Sequence, residues 1–431
     1  VVVACGGSGG GAGQLPDAAP VVDSLPPAPV TLTVIRGGQP GAGVHVYFLN
    51  ADNTVVAIAD TDATGSTRAS MAAGGSVTVL DPFAPTVPDP SRDIELRSYL
   101  GVSPGDHLVV SEADRSPIAV TINARELPGA TGYDVLTTCG TESLPRGRST
   151  ATVTLAGCNG IADVVVIANA PGGASTLYHP GLAVSDDATL DLTQDEYRAM
   201  KDVTFHYSHI PSATNSVSVS YGIGTAHGMV GFNSIVFDGS TSVIQDGAAS
   251  ITLRVPDLPG TSALISHAVY VMTRDVNVRH DVDQQLLPAA SYELDLAGVL
   301  FPDWVEFPHY DATNRRIAWV DGPGDPVPDM YLARLSVSPD PGVRSAAAPP
   351  AQSWTWQLAA PRTAGELKLP VLPIDIADWT PLSTDRVSGA AFPIKLPGGY
   401  DAIRDKIFDE AAANAFFQTL GPNDRLVHIE D

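Results

Sequence analysis

Lysine is almost missing from this chain, with four residues in 431 (Lys201, Lys368, Lys395 and Lys406). Glutamate is nearly as scarce, at 10 against 38 aspartates. The long, helix-favouring charged side chains are therefore under-used, and the abundant one, Asp, bonds to nearby backbone and marks turns. Only 17% of residues are charged, yet they leave a net charge of -24. Such a surface repels phosphate backbones and counts against nucleic acid as a partner. Cysteine is down to three residues, with no C-x-x-C spacing and no paired histidines to complete a zinc set. No run approaches the ~18 apolar residues of a membrane-spanning helix. A phosphate-cradling Gly loop and a dinucleotide fingerprint are also lacking, and no serine sits in a strand-turn-helix elbow. The pattern calls for no cofactor and no metal, and the expectation is a protein without catalysis.

What the chain has is glycine (40), proline (36) and 44% hydrophobic residues. That mixture breaks long helices, supports packed cores and predicts an all-β protein of two to four domains. From Val30 onward the segments Val30–Ile35, Val44–Leu49, Thr54–Ala59, Ser66–Met71 and Ser76–Leu80 alternate with Gly-, Asn- and Asp-rich turns, as strands with one buried face do. Within them, Gly41-Ala42-Gly43-Val44 and Thr61-Asp62-Ala63-Thr64-Gly65 resemble the carboxypeptidase-regulatory-like and related bacterial Ig-like modules. There the first motif opens a strand and the second makes a hairpin. The resemblance covers residues 30 to 80 and implies an accessory sandwich.

The first residues, Val1-Val2-Val3-Ala4-Cys5-Gly6, resemble the end of a signal segment running into the lipobox of bacterial lipoproteins. A Gly-rich tether and a Pro/Ala-rich stretch to residue 29 follow. The resemblance implies export, lipidation of Cys5 and attachment to a bacterial membrane, most readily the outer one, through that lipid. In an oxidising compartment Cys139 and Cys158 are expected to pair, bracing a hairpin connector over residues 125–160.

Order along the chain repeats. Tyr178-His179 returns as Arg279-His280, Leu190-Asp191-Leu192 as Leu294-Asp295-Leu296, and Val203/Phe205/Tyr207 as Val305/Phe307/Tyr310. Val255-Pro256-Asp257-Leu258-Pro259 also matches Leu369 to Pro373. Offsets near 100 suggest two duplicated Ig-like sandwiches. The expected division is a tether (1–29), an Ig-like sandwich (30–124), the connector (125–160), repeats at 161–262 and 263–376, and a C-terminal segment (377–431). In that last segment Tyr400, Ile403, Ile407, Phe408, Ala411, Ala415 and Phe416 recur at helical spacing and predict an amphipathic helix of ~18 residues. A capping box at Thr193 to Glu196 predicts another short helix.

Candidate binding residues are few. Trp354 and Trp356 lie on one face of a predicted strand, where an exposed pair would stack on a sugar ring. His206 and His209 are three apart on a strand and face opposite sides, and Arg279 to Asp283 reads as a structural turn. The expected role is structural, adhesive or scaffolding at the cell surface, with the membrane and a surface protein or polysaccharide as partners. Carbohydrate binding through the tryptophans is the alternative, and a hydrolase with a site between domains a third.

Overall fold

The structure is a computed structural model. It describes residues 26–83, 94–112, 117–156, 160–230, 244–273, 276–300, 308–319, 327–340, 353–363 and 365–409, with 412–413, 415–416, 419–421 and 424–430 near the end. The described residues are mostly β, and none of the described helices is long and apolar enough to cross a membrane.

Alternation builds the first sandwich. On Ala28–Arg36, Val30, Leu32 and Val34 are buried while Thr31 and Thr33 are partly exposed. This strand lies between Ser66–Met71, antiparallel, and His107–Ser111, parallel. The facing sheet runs Val55–Asp60, His45–Leu49, Gly75–Leu80, Ile94–Val102. The second sandwich repeats the order: Pro117–Ala124 between Thr150–Ala156 and the parallel Thr189–Leu192, facing Gly140–Ser143, Gly132–Thr137, Gly160–Asn169, Ser175–Val184. A third has Lys201–Ser208 between Ala249–Val255 and the parallel Ser291–Asp295, facing Gly228–Val230, Thr214–Thr225, Ser262–Thr273, Val276–Leu286. Three units thus share one strand order.

A fourth unit differs. It sets Arg316–Ala318 between His309–Asp311 and Glu366–Lys368, opposite Met330–Ser338 between Trp354–Pro361 and Arg386–Lys395. It also joins its neighbours. Trp354–Pro361 pairs in parallel with Ile94–Val102 of the first sandwich. The last strand, Leu426–Glu430, inserts between Val276–Leu286 of the third and Arg386–Lys395 of the fourth. The result is one twelve-stranded sheet through the first, fourth and third units.

Strand pairing moves the sequence-based boundaries. Pro117–Ala124 opens the second sandwich rather than ending the first, and residues 125–160 are not a separate connector, because Gly132–Thr137 pairs with Gly160–Asn169. What repeats is the strand order of three sandwiches, whose first strands open at Ala28, Pro117 and Lys201. Leu190 to Leu192 and Leu294 to Leu296 fall on or just after corresponding last strands, and Asp191 and Asp295 each accept the backbone N–H two residues on. Matches to Tyr310 and to Leu369 instead cross into the fourth unit, whose topology differs, so residues 161–262 and 263–376 are not equivalent copies. His309–Asp311 is an edge strand there, next to Pro308.

The C-terminal amphipathic helix is not formed as predicted. Helix covers Tyr400–Ile403 and, among the described residues further on, 412–413 and 415–416, but between them the chain turns and Phe408–Asp409 pairs with Val110 and Ser111 of the first sandwich, so no continuous helix runs through the segment. Tyr400, Ile403 and Phe408 are buried in that sandwich's core. A helical period therefore marked three anchors on a bent segment, because satisfying the open edge of His107–Ser111 and burying Phe408 outweighs continuing the helix. Thr193 to Glu196 is likewise a turn, since Asp191 Oδ1 takes both the N–H and the hydroxyl of Thr193.

Aspartate's abundance has a repeated use. Asp52, Asp62, Asp191 and Asp311 each accept the N–H of a Thr two residues on. At Thr61 to Gly65 the turn is a corner rather than a hairpin, carrying the chain from one sheet to the other. Gly65 is required there: φ is +76° and a Cβ would stand 2.5 Å from the Val34 carbonyl oxygen.

Candidate functional site

Chemistry-bearing side chains gather at the two seams of the third sandwich. Along the last strand, His428 sits opposite Asp281 and Ile394. Its Nε2 is 3.9 Å from Asp281 Oδ2 and its Nδ1 3.5 Å from Asp283 Oδ2. Arg279 holds the other Asp281 oxygen at 2.9 Å. Arg279 to Asp283 is therefore a strand on which carboxylates and a guanidinium face an inserted histidine, not the turn predicted. Beside it lies a cavity of about 310 Å³, lined among others by Val299, Lys395, Leu396, Asp424, Arg425 and Val427. Arg425 is fixed by the Asp295 carbonyl at 3.1 Å and Lys395 by Val327 at 3.2 Å. Among the described lining residues there is no Ser, Cys or His, and its charged groups are Lys395, Asp424 and Arg425.

The other seam joins the second and third sandwiches through Asp163. This residue occupies a β-bulge between Ala162 and Val164, which turns its carboxylate sideways into the hairpin of its neighbour. Fully buried, it accepts the Gly181 N–H at 2.6 Å and the His227 backbone N–H at 3.3 Å, and faces His227 Nδ1 at 3.0 Å. Burial pushes its pKa up, but hydrogen bonds from Thr225, Gly181 and His227 with the His227 charge outweigh that and hold it below the usual value. Asp163→Asn should destabilise this junction by ~1–3 kcal/mol, read by hydrogen exchange at Gly181 and Thr225 to Gly228. Because the folded pKa is depressed, the Asp163 contribution is present above the unfolded pKa and is lost as pH falls below ~4. Unchanged exchange in the variant would mean the carboxylate does not hold the seam.

Inside the third sandwich, His267 is buried between Tyr207 and Gln284, with Nδ1 2.8 Å from Tyr207 Oη and Nε2 3.0 Å from the Gln284 amide nitrogen. An amide N–H donated to Nε2 leaves the single ring proton on Nδ1, so the imidazole is neutral. Burial, and next the Arg425 charge, push its pKa down to about 3.

The residues singled out from the sequence do not converge. Trp354 and Trp356 share a face as predicted, but it is the core face. They are 1% and 0% exposed, Trp356 Nε1 donates to Ser98 Oγ at 2.9 Å, and Trp354 packs edge-on against Trp379. A buried ring presents no face to a sugar, so the pair forms no stacking platform. His206 bonds Ser250 and His209 bonds Asp295, on separate partners. Cys139 is half-buried against the second core, while Cys5 and Cys158 lie outside the described residues. No group of three His, Cys, Asp or Glu able to hold a metal occurs among the described residues.

Asp163 and His267 were missed although each leaves a mark. One is the lone charge in Ile161-Ala162-Asp163-Val164-Val165-Val166-Ile167, and the other shares a face with Ile265, Val269 and Val271. A polar residue in phase with buried neighbours predicts a satisfied buried group.

No family model and no curated protein matches the sequence. Among solved structures, the Bacillus anthracis TIE protein is matched at 11% identity and a TM-score of 0.16, over 63% of this chain and 50% of that one. BcpA, the major pilin subunit of Bacillus cereus, is matched at 10% identity and 0.16, over 62% and 98%. A streptococcal ancillary pilin is matched at 10% and 0.13, over 62% and 98%. The chain spans half the length of the first. At these TM-scores the likenesses carry no argument.

Proposed function

We propose that the chain is a non-catalytic structural or adhesive protein of the bacterial surface, exported and tethered through a lipid on Cys5. The observation that carries this reading is the twelve-stranded sheet. A last strand and a fourth unit tie the first and third sandwiches together through backbone hydrogen bonds, and shared cores join the first to the fourth and the second to the third, which suits a rigid scaffold that holds its units in fixed relation. Both seams spend their charged side chains on holding elements together. A Cys139–Cys158 bond would brace the second sandwich and fits export to an oxidising compartment.

Cell fractionation followed by mass spectrometry tests the location. The expected result is membrane-associated protein with an acylated Cys5 and with Cys139 and Cys158 recovered as one non-reduced peptide pair. Replacing both by Ser should lower stability by ~2–4 kcal/mol. Soluble protein with an unmodified Cys5 and two free thiols would remove the anchored reading. Rigidity is tested by small-angle scattering, where one fixed particle should fit the data and Val427→Pro, which deletes a donor from the last strand, should loosen it.

A further inference from the structure

Eight large hydrophobic side chains stand exposed among the described residues, and four of them, Val55, Ile58, Val371 and Ile374, gather at one place. Val55–Asp60 is the terminal strand of the twelve-stranded sheet. Its residues Val55 and Ile58 share the face of their partners Leu49 and Tyr47. Residues 371–375 run along that face: the Val371 N–H bonds Asn53 Oδ1 at 3.0 Å, and Tyr47 Oη reaches Asp375 at 3.3 Å. Ile374 is 97% exposed and Val371 41%, against 49% for Val55 and 48% for Ile58. An apolar strip is therefore laid beside an open strand edge.

Among the described residues the edge's outward backbone groups have no strand partner, and their phase is fixed. Thr61 N–H bonds the Val44 carbonyl, and the pairs Val46–Ala59 and Phe48–Ala57 continue that phase, so Ala57 and Ala59 bond inward. Ile58 and Asp60 then direct N–H and C=O outward. Edge strands of monomers are commonly guarded by Lys, Pro or a bulge. Here residues 54 to 60 hold neither Lys nor Pro, and the one bulge, at Val56, leaves Ala57 to Asp60 straight. Asp52 precedes the strand, Asp60 ends it beside His45 at 2.5 Å, and Asp375 lies by Tyr47, so carboxylates flank the strip on a chain of net charge -24.

We propose that this edge captures an extended segment of another polypeptide, which adds as a further strand and sets alternate apolar side chains on Ile58, Val55, Val371 and Ile374. Those carboxylates select basic residues at the ends of that segment. A second copy of this chain is disfavoured, because it would bring two sets of carboxylates together. Strand capture here holds or fails independently of the anchored, structural role.

The probe is a fluorescent peptide of sequence KTVSITVK, with ETVSITVE as its acidic counterpart, titrated against the whole chain by anisotropy. Saturable binding of the first is expected. Binding should weaken at least ~tenfold for the acidic peptide and for chains carrying Ile374→Asp or Ile58→Pro. Ile374 is outside every core, so its variant keeps the fold, which circular dichroism checks. Ile58→Pro removes an outward donor without breaking an inward one. No saturable binding, or equal binding by the Ile374→Asp chain, overturns the proposal. So does a concentration-dependent dimer abolished by Ile374→Asp, which would give the edge to a second copy.

Discussion

Acidification from pH 6.5 to pH 4 should cost the third sandwich about 3 kcal/mol through His267 alone. Burial holds this imidazole neutral, with its pKa pushed down from 6.5 to about 3. In the unfolded chain the same ring takes up a proton near its ordinary value. Between those two values the unfolded state binds more protons than the folded one, so stability is fully present above ~6.5 and drains away as pH falls. His267→Gln keeps a hydrogen-bonding side chain between Tyr207 and Gln284 but cannot titrate. Urea unfolding at pH 7, 5.5 and 4, read through hydrogen exchange on Ser262–Thr273, should show the parent losing stability more steeply than the variant by about that amount. Superimposable profiles would mean that His267 is solvated or charged in the folded chain. Carboxylates contribute their own loss below ~4.5, and the comparison with the variant removes it.

Trp356→Ala should be among the most damaging single substitutions, at ~3–5 kcal/mol. The ring is fully buried between the fourth unit and the first, and its Nε1–H donates to Ser98, which in turn shares a hydrogen with Thr78 at 2.7 Å. Truncation leaves a cavity at the point where Trp354–Pro361 pairs with Ile94–Val102. Trp356→Phe keeps most of the volume and loses the donor, so it should cost far less, on the order of 1–2 kcal/mol. Calorimetry separates the two. An alanine variant that melts like the parent would contradict the burial and restore the ring to the surface.

The strands of the first sandwich were legible because their alternation is regular and their turns are spelled out in Gly, Asn and Asp. Sheet membership was not. Thr61 to Gly65 reads as a hairpin from local chemistry, and only the partners of Ser66–Met71 and Val55–Asp60 reveal a corner between sheets. Repeats were visible in Leu190 to Leu192 and Leu294 to Leu296, because both segments follow a last strand with the same Asp turn. Their limits were hidden, since the second sandwich closes through pairings between residues far apart in sequence. The tryptophan pair shows the same boundary of inference: periodicity says that two rings share a face, and only packing says which face meets water. At the third sandwich's seams, Asp163 and His428 could not be assigned partners, because His227 and Asp281 reach them from other strands.

In each of the three like sandwiches the first strand lies beside the last and parallel to it, as Thr31 to Ile35 lie beside His107 to Ser111. A pull applied to the chain at the two ends of such a unit acts along those strands in opposite directions. Five registered residue pairs in the first and third units, and four in the second, then carry the load side by side and must slide together, instead of opening one after another as an unzipped hairpin would. Tension applied at Ala28 and Ser111 meets the first sandwich's parallel pair at once, and a single-molecule pulling trace should record one abrupt high-force rupture for that unit. A staircase of small ruptures would show that the load bypasses the parallel pair.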